Sequence, residues 1–129
     1  MVTNNYQVLV VDDEVNMCNI LRRILDKEGY QVQTVPNGNA ALRVLEKNQP
    51  DLILLDLMMP GIDGREVCSI ARQLSSKTKI IYFTAKVESD PKKLKELREE
   101  ADAFIPKPAN SKQILASIKK VMETVAVGE

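Results

Sequence analysis

The stretch Leu52-Ile53-Leu54-Leu55-Asp56-Leu57-Met58-Met59-Pro60-Gly61 decides the fold of this chain. Four consecutive apolar residues leave a strand no polar face, so residues 52–55 read as a strand covered on both sides, the habit of parallel sheets. The strand ends on a carboxylate, and Pro60-Gly61 marks a turn. Working outward, short apolar runs alternate with helical periodicity. Residues 6–11, 30–35, 79–83 and 103–105 read as the other strands. Cys18, Leu21, Ile24 and Leu25 recur at helical spacing within residues 15–28, and Gly29 supplies the stop. Ala41, Val44 and Leu45 mark a second helix that ends at residues 48–50. Val67, Ile70, Ala71 and Leu74 mark a third, with Asp63 and Glu66 spaced as a capping box. Asp90-Pro91 reads as the cap and first residue of a short charged fourth helix. Ile114, Ile118, Val121 and Met122 define a fifth, ending near Val125. Five strands separated by helices predict one doubly wound α/β domain, with any site at the carboxyl ends of the strands.

Composition narrows the chemistry. The 129 residues carry 18 basic and 18 acidic side chains, no histidine and two cysteines. Zero net charge favours neither nucleic acid nor an anionic membrane as partner. The absence of histidine removes His-ligated zinc and His-based acid–base catalysis. Cys18 and Cys68 form neither a disulfide framework nor a metal-ligand pattern. The apolar runs of four are far below the ~20 residues that cross a bilayer, and the amino terminus shows no signal peptide. The expectation is a cytoplasmic protein.

The polar residues that interrupt the pattern fall at strand ends: Asp12 and Asp13 after the first, Asp56 after the third, Thr84 after the fourth, Lys107 after the fifth. Each alone has a plainer reading: the acidic pair as a helix cap, Asp56 as a turn residue, Thr84 as a β-branched strand end, Lys107 as a solvated charge. Together they are coherent. Three carboxylates converging on one sheet edge repel unless a cation neutralises them. An oxygen-only ligand set suits a hard ion, Mg²⁺. A metal, an ammonium and a hydroxyl around one carboxylate can stabilise a phosphoryl group in transfer, and the carboxylate can be its acceptor.

The segments Val8-Leu9-Val10-Val11-Asp12-Asp13-Glu14, Leu54-Leu55-Asp56-Leu57-Met58-Met59-Pro60-Gly61-Ile62-Asp63-Gly64, Phe83-Thr84-Ala85 and Lys107-Pro108 resemble the receiver domains of response regulators, over nearly the whole chain. The resemblance implies a flavodoxin-like three-layer sandwich with strand order 2-1-3-4-5. It implies that Asp56 takes a phosphoryl group from a sensor kinase histidine, directly or through a phosphotransfer protein. It further implies that Asp13, Asp56 and the backbone carbonyl of Met58 coordinate Mg²⁺, with Asp12 acting through water. Thr84 and Lys107 would bind the phosphoryl group and Phe104 would be the rotating switch aromatic. The expected activity is a signalling switch, catalysing only its own phosphorylation and dephosphorylation and acting on a downstream target protein. A weak homodimer is expected through the face from the fourth to the fifth helix. The expected organisation is a single receiver domain over residues 1–129, with its core at about 6–125 and no output domain.

Some residues depart from the family pattern. Pro106 stands where a residue with an N–H is usual, Ala109 where an aromatic is frequent, and Glu100-Ala101 replaces Gly-Ala. Met58 flanks the path of attacking water in the resembled family, so its apolar side chain is expected to slow hydrolysis, with Lys86 counteracting. Three rival readings each meet an obstacle in particular residues. A haloacid dehalogenase-type hydrolase needs an Asp two residues past the nucleophile, where this chain has Met58. A flavodoxin-like mononucleotide binder needs a phosphate loop where this chain has Asp12-Asp13-Glu14. A non-phosphorylated interaction module lacks some of the acidic, Asp, Thr or Lys residues that this chain keeps.

Two expectations concern the layers. The right-handed crossover rule puts the first helix on one sheet face and the second and third on the other, so Cys18 and Cys68 lie on opposite sides. The fourth helix opens with Lys92, Lys93 and Lys95 and closes with Glu96, Glu99 and Glu100. That order opposes the helix dipole by roughly 0.3–1 kcal/mol per exposed group, and its apolar stripe is only Leu94, Leu97 and Ala101. The helix reads either as a plain solvated surface helix or as a marginally stable one that shifts when Thr84 is drawn towards the phosphoryl group.

Overall fold

The computed structural model describes residues 6–85 and 88–127, with side chains as far as Glu123. Strands β1 (Gln7–Val11), β2 (Gln31–Val35), β3 (Leu52–Leu55), β4 (Lys79–Thr84) and β5 (Ala103–Pro106) alternate with helices α1 (Val15–Lys27), α2 (Gly38–Lys47), α3 (Gly64–Leu74), α4 (Pro91–Glu100) and α5 (Ser111–Val127). All strand pairs are parallel, and the order is β2-β1-β3-β4-β5. The chain steps outward from β1 to β2 and then back past β1 to β3. Beyond their carboxyl ends a crevice opens between β1 and β3, where ligands bind in such sheets.

Two apolar layers hold the helices. On one face Leu9, Val11, Ile53, Leu55, Ile80 and Tyr82 meet α2, α3 and α4. On the other Val8, Val10, Leu52, Leu54, Ile81 and Phe83 meet α1 and α5. Successive strand residues alternate between the layers, as the period of two requires. Cys18 belongs to the second layer and Cys68 to the first, so the sheet separates them as expected.

Several boundaries differ from the sequence reading. The buried face of α3 is Gly64, Val67, Cys68 and Ala71, while Leu74 is 43% exposed. The i, i+3, i+4, i+7 stripe continues into buried Ser75, whose N–H closes the helix on the Ala71 carbonyl, rather than into Leu74. Asp63 caps α3 through the Arg65 N–H at 2.9 Å, so its cap bond goes to the second helical residue and not to Glu66. β5 extends to Pro106, and α5 runs to Val127. Pro106 is harmless here because β5 is an edge strand. The inward ladder bond is made by its neighbour, the Lys107 N–H to the Thr84 carbonyl at 2.9 Å. Asp90 caps α4 through the Lys92 N–H at 3.0 Å, and Leu97 is its deeply buried anchor.

Both cysteines are buried, and burial pushes both thiols above the ordinary cysteine pKa. Denaturation in alkylating reagent without reductant is expected to add two labels per chain. An intact mass showing an intramolecular disulfide contradicts the layer assignment.

Candidate functional site

Parallel strands deliver their carboxyl ends to one edge, and the register sets which residues meet there. Val11 is level with Leu55, so Asp12 and Asp56, the next residues, emerge side by side. Their positions are fixed by backbone bonds that continue the ladder: Asp12 N–H to the Val35 carbonyl at 3.1 Å and Asp56 N–H to the Val11 carbonyl at 3.0 Å. Both side chains are buried, at 2% and 4% exposure, whereas Asp13 is exposed. One carboxylate oxygen from each of Asp12, Asp13 and Asp56 lies within 4.8 Å of the others. At that separation each pair of full charges repels by roughly 3–4 kcal/mol in an effective dielectric of about 20, and by less for exposed Asp13.

Lys107, whose side chain is only 9% exposed, reaches in from the end of β5. Its ammonium donates to Asp12 Oδ2 at 2.7 Å and to Asp56 Oδ2 at 3.4 Å, and lies 3.8 Å from Glu14 Oε1. It also sits over the Phe83 ring, 5.3 Å from its centroid. Burial works to lower the Lys107 pKa, but Asp12 and Asp56 outweigh it and hold the group above the ordinary lysine value. One ammonium facing four carboxylates leaves the site strongly negative. That imbalance, and the all-oxygen donor set, fit a divalent hard cation. Octahedral Mg²⁺ spans trans ligands by roughly 4.2 Å, so the 4.8 Å cluster needs little closure to hold it.

The remaining residues take their places around this pocket. Asp12 Oδ1 accepts the Glu14 N–H at 2.9 Å and Asp56 Oδ1 the Met58 N–H at 3.0 Å, which fixes both carboxylates in tight turns. Met58 points outward, 56% exposed. Thr84 is buried at the end of β4, one residue beyond the level of Asp56. Phe104 stands farther off, edge-on to Tyr82 with centroids 6.5 Å apart, and under the Arg98 guanidinium at 5.7 Å. Thus Asp12, Asp13, Asp56 and Lys107 form one cluster. Phe104 joins it only through its neighbours in the sheet.

One contributor escaped sequence reasoning as anything but motif. A Cβ on Gly64 would stand 2.6 Å from the Asp56 carbonyl oxygen and 2.9 Å from Leu57 Cα. Both obstacles are backbone. The first residue of α3 therefore packs directly beneath the loop that follows Asp56, and only glycine permits it. Gly64→Ala is expected to lower stability by about 1–3 kcal/mol, read as a lower thermal midpoint. Wild-type stability in this variant would show that the loop tolerates displacement.

Comparison with known proteins agrees with this geometry. Residues 8–119 match the model of the response regulator receiver domain. The chain is 39% identical over 118 residues to the alkaline phosphatase synthesis transcriptional regulatory protein PhoP of Bacillus subtilis, covering 92% of this chain and 49% of that protein. It thus spans about half the length of that curated relative. Among solved structures it resembles response regulator TrrA of Thermotoga maritima, in complex with Mg²⁺–BeF. The identity is 36% and the TM-score 0.78, over 90% of this chain and 98% of that one. It also resembles a CheY-like receiver domain protein of Methanospirillum hungatei, at 29% identity and TM-score 0.86, over 95% and 98% of the two chains. Mg²⁺ is the metal that the acidic cluster and the complexed relative both support. The chain belongs to the family of response regulator receiver domains, the phosphoacceptor modules of two-component signalling systems.

Proposed function

We propose that Asp56 is the phosphoacceptor of this chain, taking its phosphoryl group from the phosphohistidine of a sensor kinase or phosphotransfer protein in the cytoplasm. The observation that carries this reading is the held carboxylate of Asp56. It is buried, with Oδ1 fixed by the Met58 N–H and Oδ2 facing the Lys107 ammonium. An Asp56 oxygen attacks phosphorus, the new bond is an acyl phosphate, and the phosphorus–nitrogen bond to the donor imidazole breaks. Asp13, Asp56 and the Met58 carbonyl are the proposed Mg²⁺ ligands, with Asp12 acting through water. When bound, Mg²⁺ offsets the charge of the carboxylates and of the incoming phosphoryl oxygens. Lys107 pairs with a phosphoryl oxygen once the group arrives, and the Thr84 hydroxyl donates to another. Both interactions draw the carboxyl ends of β4 and β5 towards Asp56.

That displacement is the proposed signal. Phe104 turns with it, and the face from α4 to α5 changes for a downstream target or for a weak homodimer. The reaction is confined to the chain's own phosphorylation and dephosphorylation. Met58, outward and apolar beside the acceptor, is placed to slow hydrolysis; Lys86 lies outside the described residues. Among the described residues no helix is long and apolar enough to cross a membrane.

Acetyl phosphate with Mg²⁺ is expected to add one phosphoryl group to the wild type at Asp56, and none to Asp56→Asn, by intact mass and peptide mapping. Equal labelling of Asp56→Asn at another residue overturns the assignment.

A further inference from the structure

Away from the acidic pocket, a dense polar constellation surrounds Glu100, the last residue of α4. Its carboxylate accepts the Arg65 Nε–H at 2.9 Å on Oε1 and 3.0 Å on Oε2, together with a second N–H of the same guanidinium on Oε2. Oε1 also accepts the Tyr82 hydroxyl at 2.8 Å. The Glu100 carbonyl accepts Arg72 at 3.1 Å, and the same guanidinium reaches Asp102 at 3.0 Å and the Thr78 carbonyl at 3.2 Å. Arg65 and Arg72 are seven residues apart on α3, hence on one face.

This arrangement answers a local problem. The carboxyl end of a helix carries orphan carbonyls and partial negative charge, so a glutamate there is unfavourable unless paired. Two arginines from the neighbouring helix supply the missing cations. Tyr82 is fully buried, and burial pushes its hydroxyl far above the ordinary phenol pKa, so it remains a donor.

The partners of Glu100 belong to the elements that carry the pocket. Arg65 is the second residue of α3, capped by Asp63 directly after the loop from Asp56. Tyr82 lies two residues before Thr84 on β4, so both side chains share one sheet face. Tyr82 also meets Phe104 edge-on. The opposite end of α4 is held differently: Lys92, Lys93 and Lys95 are exposed, and the Asp90 cap is local. The helix is clamped at its carboxyl end and exposed at its amino end.

We propose that Glu100 is a positioning residue of the switch. With Arg65 and Tyr82 it pins the carboxyl end of α4 in the unphosphorylated arrangement, and phosphorylation works against this clasp. The inference rests on Asp56 as acceptor and Thr84 as phosphoryl ligand. A ligand that needs a sparsely populated conformer binds more weakly by that population. Loosening the clasp therefore raises the competent fraction.

The test is calorimetric titration of beryllofluoride with saturating Mg²⁺ into wild type, Tyr82→Phe and Glu100→Gln, with hydrogen exchange of residues 91–99. Tyr82→Phe keeps the ring in the core and removes only the hydroxyl, so folding is preserved. The expected result is a roughly tenfold lower apparent Kd in both variants, equivalent to ~1.4 kcal/mol, with faster exchange in α4 and unchanged exchange in α1, which lies on the other face of the sheet. Variants that bind as wild type, or more weakly, overturn the clasp even if their melting points fall, since a merely structural tie moves only stability. A wild type that binds no beryllofluoride removes the phosphoacceptor reading, and the clasp's role with it.

Discussion

The interaction on which this structure depends is the Lys107 ammonium held between the buried carboxylates of Asp12 and Asp56, at 2.7 and 3.4 Å. Without it, two nearly dry carboxylates would face each other across the β1–β3 crevice. With it, the amino-terminal strand, the central strand and the edge strand are joined at their carboxyl ends by one cation. The tie is incomplete by design of its charge. Glu14 and Asp13 add further negative charge, so the pocket still favours a divalent ion.

An incompletely neutralised pocket is what a phosphoacceptor requires. The ammonium that steadies the resting carboxylates is, on the proposed reading, the group that would pair with an incoming phosphoryl oxygen and so release Asp56 from its resting partner. β5 makes this inexpensive in structural terms. It is an edge strand, it ends in a proline that gives up no inward ladder bond, and its last inward contact is the Lys107 N–H to the Thr84 carbonyl. Movement of Lys107 and of Thr84 is therefore mechanically linked.

Much of this was legible in the sequence because a parallel sheet converts order along the chain into proximity at one edge. Residues 52–55, apolar without alternation, announced a strand buried on both faces, and Asp12, Asp13, Asp56 and Lys107 followed from their places after strand ends. What was not legible depends on contacts between distant residues. The glutamate-terminated α4 read as an unfavourable helix, because its compensation comes from Arg65, thirty-five residues earlier on another element. Leu74 read as part of an apolar stripe, but α3 ends there and Ser75 takes the buried position. Gly64 carried no signal of its own; its necessity appears only when the Asp56 carbonyl is seen 2.6 Å from where a Cβ would stand.

The resting pocket holds more negative charge than its lysine can offset, and a divalent ion is what relieves the excess. The direct measurement is the thermal midpoint of wild type and Asp56→Asn as Mg²⁺ is raised from chelated to millimolar levels. In chelator the Asn variant should melt higher, because one of the mutually repelling carboxylates is gone. With Mg²⁺ the wild type should gain more, since the ion binds only the folded pocket and loses a ligand in the variant, so the difference narrows or reverses. A wild type that melts above Asp56→Asn in chelator and is indifferent to Mg²⁺ contradicts the account.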